Sequence, residues 1–307
     1  MDWAAASLNR RNDQIKNEER AYDIAVAYRI YPKVAAVASS LPCGDDKYRL
    51  SEICLKSFRD SLNGLRARVW VLLDGCPPEY GDLFVKYFDP QDVTLLNLDA
   101  IGNQATFRRQ IDILLEQQDS DVVYFAEDDY VYLPGQFRCM VNFLLEHEDV
   151  DFVSPYDHLD CYTLDLHRQP KWLTIHGGRH WRTAASTCLT FLTRRQTLKK
   201  TAAVFRSYER RNFDSSLWLS LTKRRIFNPF FGWDVIQDRF LVKVILKSWL
   251  YCWRQILFGR RWKLWIPIPA VATHLNAQSL SPNIDWRALM EQAKKQMFED
   301  ISAEKYG

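Results

Sequence analysis

The sequence predicts an α/β fold: a mostly parallel central sheet with helices on both faces, formed by one domain. Three observations carry this. Short apolar runs alternate with segments of helical periodicity through the first half of the chain. The end of each run carries a charged or turn-forming residue. Finally, 47% of the 307 residues are hydrophobic, enough for a sizeable core.

Residues 22–30 (YDIAVAYRI) read as the first strand. Residues 47–62 place Leu50, Ile53, Cys54, Phe58 and Leu62 on one helical face. Residues 68–75 (RVWVLLDG) and 93–98 (VTLLNL) follow as strands. Residues 104–117 form a helix with Phe107, Ile111, Leu114 and Leu115 inward, and 121–126 (DVVYFA) the fourth strand. Strands separated by helices imply right-handed crossovers, hence parallel pairing and a sheet covered on both faces. Ligands of such sheets bind beyond the carboxyl ends of the strands, which directs attention to Arg29, to Asp74 and Gly75, and to an acidic row after the fourth strand. The second half is less regular. Residues 152–156 and 186–193 read as strands, 176–182 (HGGRHWR) as a loop, 233–257 as a long helix and 286–301 as a terminal helix.

Lys and Arg total 41 against 38 acidic residues, and a net charge of +3 argues for neither nucleic acid nor an anionic surface by itself. The seven cysteines, an odd number without a C-x-x-C pair, fit a reducing compartment and speak against a disulfide scaffold or structural zinc. The N-terminal residues lack the order of a signal peptide, and no uncharged apolar run reaches transmembrane length, so a cytoplasmic location is expected. With 11 Trp, 14 Tyr and 17 Phe, aromatic residues suffice both for a core and for a binding surface.

The acidic row is Glu127, Asp128 and Asp129, directly after the fourth apolar run and shortly before Pro134-Gly135. In extended backbone Glu127 and Asp129 share one face and Asp128 points to the other. Two like charges on one side, at the mouth of a parallel sheet, repel unless a cation lies between them. Mg²⁺ or Mn²⁺ takes oxygen ligands and is commonly held by one or two carboxylates together with substrate phosphates, so a diphosphate-bearing substrate is expected. The competing account is a solvated acidic turn.

The surrounding run, residues 97–137, resembles the central segment of GT-A glycosyltransferases, family 2 in particular: a strand, a Gly/Asn turn, a helix, an apolar strand ending in D-x-D, then Pro-Gly. In register with Pro134-Gly135, Glu127-Asp128-Asp129 stands in the place of D-x-D, with Glu for the first Asp. The resemblance implies a Rossmann-like GT-A fold as a single catalytic domain. An N-terminal extension (1–20) would precede a nucleotide-sugar-binding half (21–135) and an acceptor-binding half with C-terminal helices (136–307). It also implies Asp129 as a metal ligand, Glu127 as a further ligand or a contact to the donor's ribose or sugar, and Asp74 as a contact to the nucleotide. Arg29, Asn103 and Asp128 complete the candidate donor contacts. The first strand departs from the family, ending in AVAYRIYP rather than in Pro-x-x-Asn. The implied activity is transfer of a single sugar from a nucleoside diphosphate sugar, with Mn²⁺ or Mg²⁺, to an acceptor hydroxyl. Glycans, lipid-linked glycans and modified nucleic acids all carry such a hydroxyl.

Such a transfer needs a base for the acceptor and a cation for the leaving diphosphate. Residues 232–241 (GWDVIQDRFL) place Asp234 and Asp238 four apart near a helix start. QDRFL is similar to the E-D-R-x-L box of processive family 2 enzymes, which implies Asp238 as the base, with Asp234 second and direct displacement with inversion as the course. The competing reading makes these acids a helix cap and a solvated charge. Gln237 replaces the box's Glu, and FGRRW (258–262) only echoes the companion Q-x-x-R-W motif, so a single-sugar transferase fits better than a polymerase. His274, late in the chain, stands where many GT-A enzymes supply a further metal ligand. Residues 241–265, basic and aromatic, read either as a core helix with snorkelling cations or as a helix in peripheral contact with a membrane.

Two rival functions follow from the same residues. A sugar-nucleotide nucleotidyltransferase would need a glycine-rich loop after the first strand, and YRIYPKVAAV has no glycine. A non-catalytic nucleotide-binding partner protein would keep the fold and lose the metal requirement.

Overall fold

The structure is a computed structural model that describes residues 22–33, 40–167, 170–227 and 238–306. The expected extension, 1–20, lies outside the described residues.

Nine strands form one mixed sheet in the order β3-β2-β1-β4-β9-β6-β10-β8-β7. The elements of its parallel half are β1 (Ile24–Ile30), α1 (Lys47–Ser61), β2 (Ala67–Asp74), α2 (Glu79–Tyr87), β3 (Val93–Leu98), α3 (Asn103–Glu116) and β4 (Val122–Glu127). β1 pairs parallel with both β2 and β4, and β2 with β3, as alternating strands and helices require. β1 is buried along its whole length, with Ile24, Val26, Tyr28 and Ile30 in one core cluster and Ala25 and Ala27 in another. Large residues thus pack on one face and small ones on the other, where α3 approaches with Phe107, Ile111 and Leu114.

Beyond β4 the pairing turns antiparallel. After β5 (Tyr130–Tyr132) and α4 (Phe137–Glu146) come β6 (Phe152–Val153), β7 (Leu173–His176), β8 (Arg179–Ala184), β9 (Phe191–Arg194), α5 (Arg195–Phe205) and α6 (Asp214–Thr222). The chain continues with α7 (Arg239–Phe258), β10 (Leu264–Ile268), β11 (Ala272–His274) and α8 (Trp286–Tyr306). β9 inserts antiparallel between β4 and β6, and β8 joins β10 antiparallel, so this half is mixed rather than mostly parallel. One sheet therefore runs through both halves of the chain.

Residues 176–182 are not a loop. They hold the turn of the β7–β8 hairpin, with His176 opposite Arg179. Gly177 and Gly178 both take positive φ (58° and 72°), the backbone that a two-residue hairpin turn demands and that matches strand twist. The expected strand 186–193 is shorter, because 186–190 leave the ladder and bond through side chains, as Thr187 Oγ1 does to Ser154 Oγ at 2.8 Å. Among the described residues no helix is long and apolar enough to cross a membrane. Many of the aromatic residues are core: Trp181, Trp218, Trp286, Tyr28 and Phe58 are fully buried.

Candidate active site

Asp129 and His274 meet because a second, two-stranded sheet joins β5 to β11 antiparallel, with His274 opposite Tyr130. The amide of Leu275 donates to the carbonyl of Asp129 at 2.8 Å and locks the register. His274 Nε2 then lies 3.1 Å from Asp129 Oδ2. The other carboxylate oxygen, Oδ1, is buried without a hydrogen-bond partner. Burial works to raise the Asp129 carboxyl, but the charge and hydrogen bond of His274, with Lys47 and Arg29 behind them, bring its pKa down to about 2. Burial likewise opposes the His274 cation, and the Asp129 and Glu127 charges outweigh it and raise the imidazole pKa.

Glu127 ends β4 beside Arg29, the next-to-last residue of β1, in register with it. Its Oε1 accepts from Arg29 Nη2, and its Oε2 accepts from Thr190 Oγ1 at 2.7 Å. Arg29 Nη1 donates to both the carbonyl and the side-chain oxygen of Asn103. Glu127, Arg29 and Asn103 thus form one chain of contacts along the rim, and both Glu127 oxygens have protein partners. Asp128 points the other way, as strand geometry requires, toward Lys47 Nζ at 2.6 Å and the Tyr31 amide at 3.2 Å. Burial and the neighbouring Asp129 charge push its carboxyl upward against the pull of Lys47.

Asp74, at the end of β2, holds the turn ahead of α3. It accepts from the amides of Ile101 (2.7 Å) and Gly102 (2.9 Å) and from Thr106 Oγ1 (3.2 Å). Gly102 makes that turn at φ 85°, open to a residue without a side chain. The result aims the N-terminus of α3, where the helix dipole favours anions, at the space between the strand ends. That space is a cavity of about 450 Å³, walled by the acids 74 and 127–129, by His274, and by the cations Arg29, Lys33 and Lys47. Every expected donor-side residue therefore lines one cavity. The acids and the imidazole suit a divalent ion, and the cations and helix terminus suit phosphate oxygens.

No protein-family model matches the sequence, and no curated protein matches it either. Solved structures do resemble its fold. An active-site mutant of the galactosyltransferase LgtC is 9% identical, over 89% of this chain and 95% of that one, with a TM-score of 0.44. The glycosyltransferase GlyE of Streptococcus pneumoniae is 14% identical over 88% of this chain, with a TM-score of 0.40. The mannosyltransferase PcManGT of Pyrobaculum calidifontis, solved with GDP-Man and Mn²⁺, is 14% identical over 64%, with a TM-score of 0.35. The chain spans 59% of GlyE and 54% of PcManGT. The likeness is a distant one, in the course of the chain.

The expected base fares differently. Asp238 is the N-cap of α7, where its Oδ1 accepts from the amides of Phe240 and Leu241, each at 3.0 Å. It does not line the cavity. Its side chain does what an acid at a helix start does by itself, cap the free amides. Asp234 lies outside the described residues. His176 pairs with His147 at 3.1 Å, also away from the cavity lining. Two residues that pattern reading passed over, outside the cavity lining as Asp238 is, feel the charges of its walls. Asp214 opens α6, half-buried, and its pKa is raised chiefly by burial and further by the charge of Glu127. His158 is held down by burial and by His274, against the charge of Asp160 first and of Asp214 after it. The available sequence signal for Asp214 was an acid at the first position of a short helix, which suits any helix start.

Proposed function

We propose that the protein is a metal-dependent GT-A glycosyltransferase that moves one sugar from a nucleoside diphosphate sugar to an acceptor hydroxyl. The observation that carries this is the Asp129–His274 pair inside the cavity at the carboxyl ends of β1, β2 and β4. The orphaned Asp129 Oδ1 has the character of an unused metal ligand, and a carboxylate with an imidazole suits Mn²⁺ better than Mg²⁺. Among the described residues no third His, Cys, Asp or Glu joins them, so diphosphate oxygens and water would complete the shell. A bound divalent ion would supply Lewis-acid stabilisation of the departing diphosphate.

The remaining roles fall to this chain's own groups. Lys33, Lys47 and the α3 N-terminus, which line the same cavity, would neutralise the diphosphate. Asp74 shapes the α3 turn rather than offering a free oxygen. Arg29 and Thr190 fix Glu127 toward the donor's sugar or ribose. The acceptor oxygen would attack the anomeric carbon as the bond to the diphosphate breaks, with its proton passing to a carboxylate. Asp214, which lies outside the cavity lining as Asp238 does, is the candidate for that base on its electrostatics alone: burial first, and the charge of Glu127 after it, lift its pKa. A carboxylate base of this kind belongs to direct displacement with inversion.

A thermal-shift screen of nucleoside diphosphate sugars with and without Mn²⁺ tests the reading, because a ligand of the native state raises its stability. Stabilisation by one donor that grows with Mn²⁺, and release of nucleoside diphosphate in an acceptor assay, is the expected result. Pyrophosphate release from a nucleoside triphosphate would favour the nucleotidyltransferase instead.

A further inference from the structure

Helix α7 carries a face that no other described part of the chain covers. Its inner side is Leu241, Val244, Ile245, Ser248, Cys252 and Ile256, all buried. On the opposite side Leu246 and Leu250 lie one helical turn apart, Trp253 and Leu257 do the same beyond a kink at Cys252 (φ −126°, ψ 19°), and the four are 63%, 69%, 44% and 50% exposed. Phe258, beside Leu257 at the helix end, is 80% exposed. Solitary exposed apolar residues are ordinary, but a ridge of them along one side of both helical segments marks a contact surface.

The flank of the ridge identifies what it contacts. Lys243 and Lys247 lie one turn apart beside it, Arg254 is exposed next to Trp253 beyond the kink, and Arg239 opens the helix. Residues 239–263 contain no Asp or Glu at all. Lys247 Nζ donates to the Arg211 carbonyl and lies 3.7 Å from the Phe213 ring centroid, and Arg254 lies 5.3 Å from that of Trp253, so both heads are held at the ridge's edge. A second copy of this face would set cation against cation. A surface of lipid phosphates over hydrocarbon complements both lines at once: phosphate to the cations, acyl chain to the leucines, and Trp253 at the boundary between them.

We propose that α7 docks the protein in the plane of an anionic membrane surface, Leu246, Leu250, Trp253 and Leu257 entering the acyl boundary and Lys243, Lys247 and Arg254 meeting lipid phosphates. The helix lies on the bilayer and does not cross it. Docking by α7 is independent of the chemistry at Asp129, so each can fail without the other.

Sedimentation of the full chain with vesicles tests this. Vesicles of phosphatidylcholine with added phosphatidylglycerol should carry the protein down, pure phosphatidylcholine should not, and added salt should weaken the binding. Reversing Lys243, Lys247 and Arg254 to Glu should lower partition at least about a hundredfold, since each cation near such a surface contributes about fivefold. Leu250→Ser with Trp253→Ser should also release it. Lys243, Leu250, Trp253 and Arg254 are exposed and Lys247 is half-buried, so the melting temperature is measured on each variant, and Lys243→Glu with Arg254→Glu serves where the triple variant melts early. Equal binding to both vesicle types, or unchanged binding by either variant, would overturn the proposal. So would a wild-type dimer that Leu250→Ser/Trp253→Ser dissociates in the absence of vesicle binding, which would assign the face to a second copy.

Discussion

Asp129 Oδ2 and His274 Nε2 lie 3.1 Å apart although 145 residues separate them in the chain. Neither is held by the nine-stranded sheet itself. A separate pair of short strands carries them, and through it the last third of the chain reaches back to the acidic row. The same arrangement leaves Asp129 Oδ1 buried and without a partner, a costly state for a carboxylate oxygen and a reason to expect a cation there.

If Asp214 is the base, Asp214→Asn should abolish sugar transfer and leave donor binding nearly unchanged. Asp238→Asn should keep both, since Asn caps a helix as well as Asp does. Asp238→Ala should cost about 1 kcal/mol of stability without loss of turnover per folded molecule. Steady-state rates on the three variants decide the matter, and a dead Asp238→Asn enzyme with a live Asp214→Asn one would restore the role to Asp238.

Asp74 spends its oxygens on the turn ahead of α3. Asp74→Ala leaves the Ile101 and Gly102 amides without their acceptor and should cost about 1–3 kcal/mol in urea unfolding, with weakened nucleotide binding. Asp74→Asn, which keeps one acceptor oxygen, should fall between. Full stability in the Ala variant would show that the turn stands by itself.

Lys47 offsets the charge of Asp128 where both side chains are about 10% exposed. Lys47→Met strands a buried carboxylate and should destabilise by roughly 3 kcal/mol. Adding Asp128→Asn should recover most of that loss. The coupling in this double-mutant cycle is the readout, and additive losses would mean that the two groups do not stabilise one another.

Burial and then the Arg182 charge hold His167 down at about 3. Between that value and the ordinary histidine range near 6.5, the unfolded chain binds a proton that the folded chain does not. The contribution is therefore fully present above that range and is lost as pH falls toward 3, with a slope of up to about 1.4 kcal/mol per pH unit. Equilibrium unfolding from pH 7 to pH 4 should show a shallower acid slope in His167→Gln than in the wild type. Equal slopes would mean that His167 titrates normally.

The parallel half was legible from sequence because β1, β2 and β4 are buried on both faces and α1 and α3 carry clean apolar stripes. With them came the residues at their ends, Arg29, Asp74 and Glu127 to Asp129, since a parallel sheet collects strand ends on one rim. His274 was legible only by position, because its approach to Asp129 depends on pairing between β5 and β11, three residues each, too short to leave a periodic pattern. The hairpin at Gly177-Gly178 was hidden by an exposed edge strand, β7, whose alternation includes Leu173 and Ile175 facing solvent. Asp214 was hidden because any short helix can begin with an acid, and what sets it apart, burial near Glu127, exists only after folding.

The central claim is that Asp129 and His274 hold a divalent ion for a nucleoside diphosphate. Calorimetric titration of a nucleoside diphosphate into the protein, with and without Mn²⁺, tests it most directly when repeated on Asp129→Ala and His274→Ala. Mn²⁺ should tighten wild-type binding, and each variant should lose that gain while keeping the weaker metal-free binding supplied by Lys33, Lys47 and the α3 N-terminus. A Mn²⁺ gain that survives in both variants would contradict the account.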